Sequence, residues 1–161
     1  MKKVLISYST KGGNTEKLAK AIAEGVDSCD GFEAVLKRAK DTNPQDLVDA
    51  DGIIIGSPVY FGTMSAEVKD LIDRSVVVRR KLKDKVGAAF TTSGHITGGK
   101  ETTIFSIIYA MLIHEMIIVG DPIEAGGHYG VACTGEPTEG DLENARKLGI
   151  RVCEVIDKLK G

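Results

Sequence analysis

The sequence lacks an excess of basic charge, a cysteine framework and an uninterrupted apolar run of membrane length. Its 21 lysines and arginines face 23 aspartates and glutamates, for a net charge of −2. Without the positive excess by which proteins hold nucleic acid, no nucleic-acid partner is expected. Three cysteines, Cys29, Cys133 and Cys153, are odd in number, lie far apart and form no C-x-x-C pair. They read as reduced thiols. Nor do the histidines, 95, 114 and 128, fall at metal-ligand spacing, so no metal is expected. The longest apolar stretch, TTIFSIIYAMLIHEMIIVG, is broken by His114 and Glu115 into a helix-length and a strand-length piece, so no membrane span is expected. The apolar run after Lys2 and Lys3 is too short for a signal peptide. A cytoplasmic protein is the expectation.

What is present is a chain of 161 residues, 42% apolar, long enough for one domain spanning residues 1–161 with a core of its own. The pattern alternates along it. KKVLISY is a β-rich run, and from Thr15 to about Val26 the apolar residues Leu18, Ala19, Ile22, Ala23 and Val26 share one helical face. FEAVLKRA alternates as an edge strand does, whereas DGIIIGSP and VGAAFTTS are continuous apolar strands suited to a sheet covered on both faces. SAEVKDLIDRS is an amphipathic helix, Glu101 to about Glu115 a mostly apolar one, and MIIVG a fifth strand. The chain closes with the helix TEGDLENARKLGIRVCEVIDKLK, in which Thr138 is the N-cap and Asp141 stands three residues on. Strands alternating with helices in this way predict an α/β, doubly wound, five-stranded parallel sheet.

In such sheets ligands bind at the carboxyl ends of the strands. Three loops fall there: STKGGNT after the first strand, SPVYFGTMS after the third and TSGHITGGKE after the fourth. The first has the chemistry of an anion cradle. Ser9, Thr10, Asn14 and Thr15 offer side-chain donors, Gly12 and Gly13 let backbone N–H groups turn inward, and a helix N-terminus follows. Helix capping and a glycine turn account for the same residues, and the first loop alone leaves both readings open. The loop is not a G-x-G-x-x-G fingerprint. GHITGGKE at residues 94–101 satisfies G-x-x-x-x-G-K but places Glu101 where a P-loop needs a magnesium-binding hydroxyl, which argues against an NTPase. A receiver domain needs acidic residues after the first strand, and Ile6-Ser7-Tyr8-Ser9 supplies none.

Taken together, the three loops resemble the flavodoxin family and its relatives, the WrbA-type NAD(P)H:quinone oxidoreductases. STKGGNTE resembles the flavodoxin phosphate loop T-x-T-G-x-T, with Thr10, Gly13 and Thr15 in place and Gly12 where the second threonine would stand. GSPVYFGTMSAEVKDLID and TTSGHITGGKETT resemble the WrbA group, whose second loop runs G-[ST]-P-x-x-F-G-x-M. The resemblance covers nearly the whole chain and implies the flavodoxin-like strand order 2-1-3-4-5 and a bound FMN. It places the phosphate among Ser9, Thr10, Lys11, Gly12, Gly13, Asn14 and Thr15. The flavin ring would lie beside Pro58, Val59, Tyr60, Phe61 and Gly62, and its pyrimidine edge at Thr92, Ser93, Gly94, His95, Gly98 and Gly99. An aromatic face there would stack on the ring, and donors at the pyrimidine edge would stabilise the charge gained on reduction. Tyr60 and Phe61 could equally pack on a neighbouring helix, and His95 could be a loop histidine without a role. His114 matches an active-site histidine of the WrbA group and is a candidate catalytic residue, though its apolar surroundings also suit a structural one; Tyr129-Gly130 after His128 matches that group too.

Two departures bear on function. The WrbA group carries an arginine just before the Phe-Gly of the second loop, where this chain has Tyr60, and an insertion after the fourth strand that this chain lacks. Both favour a compact electron carrier working between redox partner proteins, ferredoxin-like or a reductase, as monomer or dimer. The alternative is an enzyme taking hydride from NAD(P)H and passing electrons to quinones. A flavodoxin-fold scaffold without cofactor ranks third. The basic run RRKLKDK at residues 79–85 reads as a solvated helix end.

Overall fold

A computed structural model describes residues 1–161. Its sheet is parallel throughout and runs in the expected order. β1 (Lys2–Tyr8) lies between β2 (Phe32–Arg38) and β3 (Gly52–Pro58), and β4 (Val86–Ser93) follows β3. β3 and β4, buried along nearly their whole length, are the two continuous apolar runs. The fifth position is divided. β5 (Ile117–Ile118) pairs with Val86 and Gly87 at the start of β4, and β6 (Val131–Thr134) pairs with Phe90–Ser93 at its end. The run MIIVG thus supplies only half of that position. The chain leaves the sheet over residues 119–130 and returns with a strand, VACT, too short and too near glycines to read as one.

Helices cover both faces. α1 (Asn14–Asp27) and α5 (Glu139–Lys160) bury Leu18, Ile22, Leu148 and Val152 against Val4, Ile6, Ile54 and Phe90. They approach so closely that a Cβ on Gly25 would lie 2.1 Å from the Arg146 carbonyl oxygen, and one on Gly149 would lie 2.4 Å from that of Ile22. α3 (Ala66–Arg74) and α4 (Lys100–Ile113) bury Val68, Leu71, Ile107 and Met111 against Leu5, Ile53 and Ile55. A short helix, α2 (Pro44–Asp49), joins that face through Leu47. It is closed by a capping box between Asn43 and Asp46. α5 carries the expected box between Thr138 and Asp141. No helix is long and apolar enough to cross a membrane.

Candidate functional site

The parallel register brings the three loops to one end of the sheet, and buried hydroxyls fasten them together. Ser9 Oγ lies 2.6 Å from Ser65 Oγ and joins the first loop to the second. Thr15 Oγ1 lies 2.8 Å from Thr92 Oγ1 and joins the first to the third. The Val59 N–H donates to the Thr92 carbonyl at 2.8 Å and joins the second to the third. Ser9, Thr15, Ser65 and Thr92 are all buried, so these bonds hold the backbone of the loops in fixed relation.

Within the first loop the Gly13 N–H donates to Thr10 Oγ1 at 3.0 Å, and Gly13 takes a left-handed conformation (φ 97°) that aims the following amides inward. It is the N-cap of α1 but supplies no side-chain cap. The N–H groups of Gly12, Asn14, Thr15 and Glu16 consequently have no partner within the chain. Four convergent amides, a helix dipole and two threonine hydroxyls form a cradle for a dianionic group. The carboxylate of Glu16 does not compete. It turns outward to Lys20, 3.2 Å away, which holds its pKa below the ordinary glutamate value, and it accepts from the Tyr8 hydroxyl.

In the second loop Tyr60 and Thr63 exchange two backbone hydrogen bonds around Phe61 (φ 49°) and Gly62 (φ 75°), both left-handed, the geometry of a type I′ turn. That conformation is costly at Phe61, which has a Cβ. Phe61 projects fully into solvent rather than packing on a helix. Tyr60 lines an open cleft of about 440 Å³ with Ser9, Thr10, Lys11, Pro58, Ser65 and Glu67. In the third loop Gly99 (φ 103°) opens α4 as Gly13 opens α1, again without a side-chain cap. Ser93 Oγ donates to the His95 carbonyl at 2.7 Å, and the Gly98 N–H donates to the same oxygen at 3.0 Å. This turn leaves Gly94 and His95 exposed, with the His95 ring bonded only to Thr97.

His114 is not brought to this end. It caps α4 beside Glu115, whose carbonyl accepts from Asp84 just before β4, and so lies at the amino end of the sheet. There it is buried, with Nε2 2.7 Å from Ser75 Oγ and Nδ1 3.3 Å from the Arg79 carbonyl oxygen. The geometry gives it a structural place and no contact with the loops.

Two residues that sequence reading missed brace the site. The Arg38 guanidinium donates from Nη2 to the Thr10 carbonyl at 3.2 Å and to Glu67 at 3.3 Å, and stands 5.8 Å from the Tyr8 ring centroid. Its Nε is buried without a partner. Only the pairing of Tyr8 with Arg38 in the parallel register would have exposed this contact, and an edge strand's alternation carries no such information. Ser65, the N-cap of α3, was hidden as an ordinary cap.

This donor set fits the phosphate of an FMN. It offers open amides and hydroxyls where the anion would lie, flanked by Lys11 and Arg38, and next to it a cleft with an aromatic wall. Comparison with known proteins agrees. The family model described as NADPH-dependent FMN reductase matches residues 43–129. The chain is 39% identical to an NAD(P)H dehydrogenase (quinone) of Archaeoglobus fulgidus, over 99% of this chain and 100% of that protein. It is 34% identical to a flavodoxin of Aquifex aeolicus over 97% and 88% of the two chains. Among solved structures, a WrbA-like flavodoxin from Agrobacterium tumefaciens superposes with a TM-score of 0.84 at 29% identity, covering 98% of this chain and 99% of that one. The chain is a flavodoxin-like protein and belongs to the NADPH-dependent FMN reductase family.

Proposed function

We propose that this chain is an FMN-dependent oxidoreductase that takes a hydride from NAD(P)H and delivers two electrons to a quinone. The observation that carries this reading is a second cleft, of about 230 Å³, built by the segment that divides the fifth strand position. It begins at Lys100 and Glu101, the first residues of α4 beside the third loop, and continues past Asp121, His128 and Tyr129. An electron carrier needs no such cleft. Two relatives named NAD(P)H dehydrogenase (quinone) support the same reading.

Bound FMN would supply the two-electron redox chemistry. The chain's own residues then have definable tasks. The first loop holds the phosphate, and Tyr60 walls the ring. The Lys100 ammonium, held by Thr134 Oγ1 at 2.7 Å, places a positive charge at the mouth of the second cleft, where a nucleotide phosphate would pass. Conversion of a quinone to its hydroquinone takes up two protons with the two electrons, and histidine is the side chain suited to exchange protons near neutral pH. His128 is exposed in that cleft. The buried Asp121 carboxylate accepts its backbone N–H at 2.9 Å and stands 4.0 Å from Nδ1. The fully exposed Phe61 favours a second reading, an electron carrier that docks a protein partner against the uncovered edge of the second loop.

Stepwise anaerobic reduction of the FMN-loaded protein separates the two. The expected outcome is bleaching of the flavin absorbance by NADH or NADPH and its return on adding a quinone. A flavin that stays oxidised with both nicotinamides and yields only to dithionite would establish the carrier instead.

A further inference from the structure

The net charge of −2 conceals one stretch with no carboxylate at all, SVVVRRKLK at residues 75–83. Arg79, Arg80, Lys81 and Lys83 are exposed, and none of the four forms an ion pair. The cations on either side of the stretch are occupied. Lys69 pairs with Asp73 at 2.8 Å and Arg74 with Asp70 at 2.7 Å, while the Lys85 ammonium donates to the Val48 and Ala50 carbonyls. Just before the free cations stand two valines, Val76 and Val77, 67% and 74% exposed.

The stretch is held in a fixed shape. It forms a short 3₁₀ segment, Ser75–Lys81, kinked at Val78, in which Ser75, Val78 and then Leu82 point inward and are buried. His114, which has no contact with the three loops, fastens both ends of the turn, with Nε2 2.7 Å from Ser75 Oγ and Nδ1 3.3 Å from the Arg79 carbonyl oxygen. The residues between the anchors are left to project. Lys83 stands three residues before Val86, which opens β4 and pairs with Gly52 and Ile117 at the starts of β3 and β5. The segment therefore lies at the amino end of the sheet, and the eight residues of β4 separate it from the loops at the other end by roughly 25 Å.

We propose that this segment docks the protein reversibly on the surface of an anionic lipid bilayer, with Val76 and Val77 entering the interface and Arg79, Arg80, Lys81 and Lys83 on the lipid phosphates. Charge complementarity selects a dense anionic surface, because four cations without a carboxylate among them add their attraction instead of cancelling it. Guanidinium groups suit phosphate in particular, through paired N–H donors. The apolar pair selects a bilayer over an acidic protein. Two valines that project rather than line a groove need apolar material beneath a charged layer, which is the order in which a bilayer presents its headgroups and acyl chains. An acidic protein would have to supply a recess shaped for both. Docking at this end leaves the three loops facing water, so it sets where the protein resides without covering the anion cradle.

The test is sedimentation of the full chain with vesicles of phosphatidylcholine alone and with about one-third phosphatidylglycerol, at ionic strengths from roughly 0.05 M to roughly 0.5 M. The wild type is expected to bind the anionic vesicles at low salt, to leave them at high salt and to ignore the neutral ones. Joint Arg79→Glu and Arg80→Glu substitution is expected to weaken binding by at least about tenfold. Joint Val76→Ser and Val77→Ser substitution is expected to weaken it by about threefold or more with the salt dependence retained. All four positions face solvent, and an unchanged urea midpoint confirms that the variants fold. Wild type that ignores anionic vesicles, equal binding to neutral ones, or binding undiminished by either pair of changes overturns the proposal. A chain that ignores both vesicles yet binds poly-glutamate through Arg79 and Arg80 also overturns it and assigns the segment to an acidic protein. An FMN titration of the same samples, with and without vesicles, is expected to give one affinity throughout, so that failure of the flavin reading and failure of the docking give different results.

Discussion

Two helices of this fold begin on a left-handed glycine with their first amides open, and two begin inside a closed ring of side-chain hydrogen bonds. At α2 and α5 the N-cap side chain accepts the third amide and a carboxylate returns to the N-cap N–H, Asn43 with Asp46 and Thr138 with Asp141. At α1 and α4 the N-caps are Gly13 and Gly99, with nothing to offer. The third residue of α1 is a glutamate, Glu16, of the type that could close a box, yet it faces Lys20 and Tyr8 instead. A cap contributes about 1 kcal/mol to a helix. Leaving it out at the two helix starts flanked by fastened loops keeps donors free for an anion, whereas the closed starts serve the fold alone.

The severest way to break this contrast is to close the open end. In Thr10→Asp a carboxylate would stand where Thr10 Oγ1 now accepts the Gly13 N–H, filling the cradle with a fixed negative charge. Like charges brought together cost several kcal/mol, so FMN affinity is expected to fall by about 3 kcal/mol or more, over 100-fold. Titration by flavin fluorescence reads this directly, and affinity within tenfold of the wild type would move the phosphate elsewhere. A milder change removes one donor. Thr15→Ala deletes the hydroxyl shared with Thr92 and is expected to weaken binding by roughly 1–3 kcal/mol. Full affinity in that variant would mean that the hydroxyl serves the loops' attachment and not the ligand.

The open and closed ends were unequally legible in the sequence. The Thr138–Asp141 box and the glycine-hydroxyl loops are local patterns, as are the long strands and helices, and they were readable because their partners lie within a few residues. Helix α2 has the same box, but six residues give no hydrophobic period to mark it. The divided fifth strand position could not be read because Ile117–Ile118 and Val131–Thr134 are joined only through β4. Arg38 reaches Thr10 across 28 residues, and the outward turn of Phe61 depends on a backbone angle that no spacing announces. His114 matched a motif position yet lies at the wrong end of the sheet, because a helix antiparallel to its strand carries its last residue away from the site.

The closed ends predict the reverse response. Thr138→Ala removes the acceptor for the Asp141 N–H at the start of the longest helix and is expected to lower stability by about 1 kcal/mol in urea denaturation, with FMN affinity unchanged. A loss of flavin binding without a loss of stability would erase the distinction between the two kinds of helix start.

Acid opens the other box with the smallest effect. Burial works to raise the Asp46 pKa, but the Lys37 ammonium at 2.7 Å and the Asn43 N–H outweigh it and hold the carboxyl below the ordinary aspartate value. A carboxyl whose pKa is depressed by folding adds stability that is complete above the unfolded value, about 3.9, and is lost as pH falls through the folded one. Asp51 is depressed in the same direction. Burial opposes the shift there too and is outweighed by Lys160 and the Lys3 N–H, so the wild type carries at least two such contributions. Urea midpoints measured from about pH 6 to about pH 3 are expected to fall at the acid end, and Asp46→Asn to flatten only part of that fall, by less than about 1 kcal/mol. The cradle at α1 has no carboxylate turned toward its amides, so this box gives way to protons while the open helix start keeps its donors.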